Sequence, residues 1–408
     1  MHTQEQDKGT EGDMQKMPLE GIKVLDLSRL IAGGYIGTML ADFGAEVVKI
    51  EEPGKGDPLR AWSVAGSELW WKVYARNKKS MTLNLARQEG RDILLEMLPH
   101  FDVLIEGFIP GKLESWGLGP DVLLERNPGL VVVRASGWGQ TGAYSPRPGF
   151  GTLIESMSGF AHMTGTPDGP PTLPPLPLAD MVTSLYGTSA TMFALFHRER
   201  NGGQGQVIDL AIYEPMISIL GPAAAEYQHF GVIPERRGNR APTNAPRNTY
   251  RSSDGKWIAI SAATQAMAAK TLRAIGRPEF VDDPRFRTNP DRVQNVEALD
   301  EAMQAAIGSR TQAEMLAIFH EAGVTAAPVY DIVALLEDEH VKTREVIVEV
   351  EDADRGTVKM HNIIPRMSRS PGRIRSTGPK LNEHGEEVLR SVGFTDERIA
   401  AARADGLF

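Results

Sequence analysis

A chain of 408 residues, 41% hydrophobic and 24% charged, has an ordinary globular composition and suits two domains, or one large domain with an elaboration. Its net charge of −9, with no basic run, argues against nucleic acid or an anionic membrane as partner. The absence of cysteine excludes disulfides, thiolate catalysis and sulfur-ligated metals, and fits a reducing cytoplasm.

Residues 1–17 are polar, carry both charge signs and lack an apolar core, so they read as a disordered tail and not a secretory signal. No later apolar run approaches the roughly 20 residues a membrane span needs, and a soluble protein is expected. Ile22 to Leu27 predicts a strand, Ala32-Gly33-Gly34 a turn, Tyr35 to Phe43 a helix, and Ala45 to Ile50 a second strand. The alternation continues with a helix through Arg91 to Leu98, a strand at Asp102 to Ile105, a helix near Asp121 to Arg126 and a strand at Leu130. Strands this short and apolar on both faces predict a parallel sheet covered by helices.

Proline and glycine then accumulate from Ser145 to Pro177, which predicts a stretch without helix that runs over a surface or lines a cleft. A long helix, Met181 to Arg200, and a strand, Gln206 to Ile212, follow. Arg236 to Arg247 reads as a linker. Beyond it a hairpin turning at Asp254-Gly255 precedes mostly helices to about Gly323, a smaller second domain. Residues 344–364 predict another hairpin, and the chain ends in polar helix.

Gly137 to Gly142 spells G-x-G-x-x-G directly after an apolar strand, the pattern of a dinucleotide-binding turn. That turn works because its third glycine opens a helix facing the pyrophosphate. Here Pro146 and Pro148 follow and forbid such a helix, so no NAD is expected. There is no P-loop, zincin or hydrolase-elbow motif, and His320, His340 and His361 lack metal-ligand spacing, so no metal is expected. Asp180 stands in PLPLADMVTSLYG at the start of the long helix. Position alone admits two roles: a helix N-cap, or a nucleophilic carboxylate whose anion the helix dipole stabilises.

The segment GIKVLDLSRLIAGGYIGTMLADFGAEVVKIEEPGKGDPLR, with RNKKSMTLNL after it, resembles the N-terminus of the class III CoA-transferases (CaiB/BaiF family), relatives of formyl-CoA transferase and methylacyl-CoA racemase. The similarity continues through DVLIEGFIPGKLESWGLG, SGWGQTGAYSPRPGF, LADMVTSLYGTSATMFAL and GGQGQVIDLAIYEPM to GNRAPTNAPRNTYRSSDGKWIAIS. It implies an α/β fold: a large Rossmann-like CoA-binding domain from residues 18–235 and 331–408, and a smaller α+β domain with its linker over 236–330. It also implies an interlocked dimer, with a homodimer expected and a heteromer as the alternative, in the cytoplasm.

The resemblance places Asp180 on the family's catalytic aspartate, which forms an aspartyl-CoA thioester, with coenzyme A as substrate and neither metal nor NAD. It implies CoA contacts at Arg29, Ile31 and Ala32, at Leu83 and Arg87, at Gly107, Phe108 and Lys112, and at Gly137, Trp138, Gly139 and Gln140. Trp138 and Gln140 are expected beside Asp180. A donor such as succinyl-CoA and a small organic acid acceptor are expected. Arg147, Arg240 and Arg247 are candidates for the remote carboxylate of a dicarboxylic acid, or for surface or phosphate contacts. Two alternatives stay open, a non-catalytic subunit of a heteromeric transferase and a racemase. Against the racemase, Phe150 and Gly151 stand where that branch has histidine and aspartate, and Thr264 aligns with its glutamate.

Overall fold

The computed structural model describes residues 16–63 and 65–408; most of the expected tail lies outside them. The chain divides into two compact units, one of residues 1–158, 174–221 and 345–408, the other of 159–173 and 222–344.

The first unit is built on six parallel strands: β1 (Lys23–Asp26), β2 (Glu46–Glu51), β3 (Lys78–Thr82), β4 (Val103–Glu106), β5 (Val131–Ser136) and β6 (Gln206–Ala211). Their order is β3-β2-β1-β4-β5-β6. β1 pairs with β2 through Val24↔Val47 and with β4 through Val24↔Val103, so the chain winds outward in one direction and then in the other. In such sheets the loops on either side of the reversal part at the strands' carboxyl ends and leave a crevice that ligands use. Most strand residues are buried on both faces, as helix-covered parallel sheets require. One face packs Leu25, Val48, Met81 and Leu104 with Val388, Leu389 and Phe408 from the chain's end. The other packs Val24, Val47, Val103 and Val133 with Ile36 and Ala194.

Three local expectations need correction. Ala32-Gly33-Gly34 is not a turn: the helix spans Ala32–Asp42 and starts at Ala32. The glycines are there for proximity, since a Cβ at Gly33 would collide with Ser28 and one at Gly37 would lie 3.2 Å from the Asp26 carboxylate and from the Lys78 ammonium. The Ser145–Pro177 stretch does form helix, Gly151–Met157 and Phe160–Met163, within a stretch free of proline. The strand β3 was not anticipated at all. The glycine pattern after β5 opens no helix: Gly142 stands in turns (φ +93°) and the next helix begins at Gly151.

The hairpin of β10 (Ile347–Asp352) and β11 (Gly356–His361) also belongs to the first unit. In the second unit β7 (Arg247–Arg251), β8 (Trp257–Ser261) and β9 (Ala326–Pro328) form an antiparallel sheet. Its inner face, with Tyr250, Ile258 and Ile260, packs on helical Leu272, Leu299, Met303 and Phe319. No helix among the described residues is long and apolar enough to cross a membrane.

Candidate active site

The carboxyl end of β1 carries a buried ionic cluster. Asp26 is fully buried; its carboxylate accepts from Lys78 Nζ at 2.8 Å and from Ser28 Oγ at 2.5 Å, and Lys49 Nζ lies 3.4 Å away. Burial works to raise its pKa, but the two ammonium groups outweigh it and hold the carboxyl below its ordinary value. Lys49 also pairs with Asp57 at 3.0 Å, and Asp57 Oδ1 accepts from the Leu30 and Leu59 amides at 3.1 and 2.8 Å. These charges fix the Ser28–Leu30 turn, and Lys78 further ties the helix start by donating to the Gly34 carbonyl. Sequence reading missed the cluster, though the acid inside the apolar run VLDL was its visible signal.

The residues expected to contact CoA lie after the carboxyl ends of four strands. Arg29 is exposed, while Ile31 and Ala32 are buried at the helix start, so a ligand there meets backbone and the Arg29 side chain. Gly107 follows β4 and faces this turn: a Cβ on it would lie 3.7 Å from the Arg29 amide and 3.5 Å from the Ala135 carbonyl. The amide of Phe108 donates to Glu106 Oε2 at 2.7 Å, and its ring meets Trp116 edge-on at 5.3 Å. Lys112 lies over the same Trp116 ring at 4.5 Å. Leu83 sits in the core, and Arg87 pairs with Glu89 at 2.9 Å and donates to the Asp405 carbonyl.

After β5, Gly137 passes so near Gly149 that a Cβ on it would lie 2.6 Å from the Gly149 Cα. Trp138 Nε1 donates to the Pro148 carbonyl at 3.1 Å, and its ring packs against Tyr144 and Tyr213 at 5.5 and 5.6 Å. The Gln140 amide donates to the Asp209 carboxylate at 3.0 and 3.1 Å, which anchors the loop to β6. Gly139 takes φ +87°, a conformation glycine adopts without a Cβ penalty. The segment tied down in this way, Pro148–Gly151, leads directly to Asp180: a Cβ on Gly151 would lie 3.3 Å from both carboxylate oxygens. Trp138 is therefore linked to Asp180 through Gly149 and Gly151.

Asp180 is not an N-cap. The Leu178–Arg200 helix begins two residues earlier, Pro177 occupies the cap, and no side chain bonds from the cap position. Instead Glu155, 2% exposed on the Gly151–Met157 helix, accepts from the Ala179 amide at 3.1 Å. A second carboxylate thus satisfies a helix-end donor and leaves the Asp180 carboxylate without a hydrogen-bond donor among the described residues. Burial, and then the neighbouring Glu155 charge, raise the Asp180 pKa from 3.8 to about 7. A desolvated carboxylate of high basicity, walled by a residue with no side chain, can attack an electrophilic carbonyl brought against Gly151.

The three arginines differ. Arg147 stacks over Tyr144 at 4.0 Å. Arg240 Nε donates at 2.7 Å to Asp300, which also accepts from Asn248 and Tyr250, so this guanidinium already has a carboxylate. Arg247 Nη1 donates to the Asn239 carbonyl at 2.9 Å, and no carboxylate of the described residues pairs with it. Thr264 caps the Gln265–Ala274 helix by accepting from the Met267 amide, and Phe150 is 60% exposed. Neither position offers an acid/base group.

Residues 19–385 match the model of CoA-transferase family III. The chain is 41% identical over 391 residues to the succinyl-CoA–D-citramalate CoA-transferase of Chloroflexus aurantiacus, covering 95% of this chain and 97% of that one. It is 40% identical to the beta subunit of the succinyl-CoA–L-malate CoA-transferase of the same organism, over 97% and 99% of the two chains. A solved CaiB/BaiF family protein from Brucella suis superposes with a TM-score of 0.82 at 33% identity, covering 93% of this chain and 100% of that one.

Proposed function

This chain belongs to CoA-transferase family III, and from that premise we propose that it moves CoA from succinyl-CoA to a small dicarboxylic acid, with Asp180 as nucleophile. The observation that carries the reading is the Asp180 carboxylate: its pKa raised to about 7, without a hydrogen-bond donor among the described residues, and placed against Gly151 at the end of the Trp138 loop. The named relatives, one acting on D-citramalate and one on L-malate, support the choice of substrates.

In the first half-reaction an Asp180 oxygen attacks the thioester carbonyl. The C–S bond breaks, leaving a mixed anhydride and CoA thiolate. The thiolate then attacks the Asp180 carbonyl carbon of the anhydride, and the donor acid leaves as its carboxylate, giving an aspartyl-CoA thioester. The acceptor carboxylate attacks that thioester and expels the thiolate, which attacks the acceptor's carbonyl in the new anhydride and regenerates Asp180. One thioester replaces another, so the exchange is nearly balanced. The protein's tasks are to hold each anion against the next electrophile and to keep water from the anhydride. The crevice flanked by Arg29 and Gly107 takes the CoA, Ile31, Ala32 and Phe108 supply its walls and backbone, and the Gly137–Gln140 loop meets the thioester end.

A homodimer in the cytoplasm completes the reading. On the long helix Leu185, Phe193 and Phe196 are 56, 72 and 61% exposed, an apolar face of the kind that a second chain covers. Light scattering of the protein expressed alone tests the assembly; a monomer that gains activity only with a second gene product indicates a heteromer. Incubation with succinyl-CoA and a panel of dicarboxylic acids, followed by chromatography of the CoA esters, tests the activity. No exchange across the panel refutes it.

A further inference from the structure

Leu30, in the turn between β1 and the Ala32–Asp42 helix, has φ +60°, a left-handed conformation. A leucine Cβ crowds the following carbonyl oxygen there, which disfavours the conformation about tenfold in a free chain. The Leu30 amide donates to Asp57 Oδ1 at 3.1 Å. Asp57 is buried and fixed from three sides. Its Oδ1 also accepts from the Leu59 amide at 2.8 Å, its Oδ2 lies 3.0 Å from Lys49 Nζ, and its own amide donates to Glu51 Oε2 at 2.8 Å. Glu51, at the end of β2, accepts in turn from Arg60 at 2.7 Å and from Ser80 of β3 at 2.6 Å. Lys49 also donates to the Ser28 carbonyl, on the other side of Leu30. Groups that the sheet positions therefore clamp a residue in a conformation it resists.

That conformation sets the direction of Ile31 and Ala32, which follow at once. The Ala32 carbonyl accepts from Ser184 Oγ at 2.8 Å, and Ser184 stands one turn after Asp180 on its helix. One wall of the crevice and the helix that carries Asp180 are thus registered on the same turn. We propose that Asp57 is a positioning residue for acyl-CoA, an inference that rests on the transferase reading above. It holds Leu30 left-handed and so keeps residues 29–32 in the one arrangement that accepts the ligand. Apparent affinity falls in proportion to the fraction of protein in the competent conformation. Without the clamp, leucine leaves that fraction at about a tenth. Glycine takes left- and right-handed conformations with equal ease and would leave it at about a half.

Asp57→Asn keeps the size but offers one acceptor oxygen where the carboxylate uses two. The Lys49 ammonium makes the stronger bond and takes that oxygen, which turns the NH₂ toward the Leu30 amide. Calorimetry with CoA should show binding about tenfold weaker than in wild type, and the KM for succinyl-CoA should rise by about the same factor. The bound ligand selects the competent turn, so kcat should stay within about threefold. On a Leu30→Gly background the same Asp57→Asn change should weaken CoA by about threefold or less. Leu30→Ile, equal in volume and stiffer at Cβ, tests the point with Asp57 intact and should weaken CoA by about threefold or more. Equal losses from Asp57→Asn on both backgrounds overturn the proposal, since they would assign Asp57 a role apart from the Leu30 conformation. So does an unchanged affinity, or a fall in kcat with KM unchanged. A wild type that binds no CoA refutes this proposal and the transferase reading together. One that binds CoA with the expected pattern but exchanges none refutes the transferase reading and leaves the clamp standing.

Discussion

Glu155→Gln isolates one charge at the proposed catalytic centre. The amide oxygen can still accept from the Ala179 N–H, so the helix start is kept while the negative charge beside Asp180 is removed. The Asp180 pKa rises by about three units in the fold, from 3.8 to about 7, with burial as the larger cause and Glu155 as the second. The Glu155 charge is the smaller of the two causes, so removing it should lower the Asp180 pKa while burial still holds it above the ordinary carboxylate value. Asp180 must be ionised to attack, so the acid limb of kcat/KM for CoA transfer should lie near pH 7 in wild type and at lower pH in Glu155→Gln. The ionised Asp180 of the variant is also less basic, so the plateau at high pH should fall modestly. The assay is initial-rate exchange from pH 5 to 9. An acid limb that stays put, or moves upward, refutes the electrostatic role given to Glu155.

Asp180→Asn should abolish exchange while leaving CoA binding largely intact, measured by calorimetry. The same variant tests stability. A carboxylate whose folded pKa is raised is favoured by low pH, and its ionisation costs the fold stability as pH climbs from about 4 to about 7. At about 1.4 kcal/mol per unit the cost reaches up to about 4 kcal/mol at pH 8. Asp180→Asn should therefore be more stable than wild type in urea at pH 8 by up to that amount, and by under about 2 kcal/mol at pH 5; equal stability at both contradicts the raised pKa. Gly151→Ala puts a methyl 3.3 Å from the carboxylate and should cut kcat about ten- to hundredfold with little change in melting temperature. Lys78→Met leaves Asp26 with the Lys49 ammonium alone, at 3.4 Å, and should cost about 3 kcal/mol in urea unfolding; a loss under 1 kcal/mol contradicts the cluster's role.

Four of the six parallel strands were legible as short runs apolar on both faces, and β6 as a run that is apolar only in part, with Gln206 and Asp209 exposed. β3 was not, because KKSMT looks polar: Lys78 is buried against Asp26, and Lys79 spans Glu46 and Glu387. Pairing across 52 residues inverted the rule that lysine marks a surface. Asp180 was visible as an ambiguity, and the structure removed the capping alternative by assigning that task to Glu155. Nothing in TLIESM marks Glu155 as buried, since its burial depends on the helix it packs against. Gly33 was misread for a similar reason. In sequence a double glycine marks a turn, and only the nearness of Ser28 shows that it permits a helix to approach a strand.

The role proposed for Asp180 is covalent, and mass spectrometry of the protein quenched after mixing with succinyl-CoA tests it directly. A CoA adduct is expected on the peptide containing Asp180, present in wild type, absent from Asp180→Asn and discharged by an acceptor acid. CoA transfer without that adduct, or with the adduct on another residue, would contradict it.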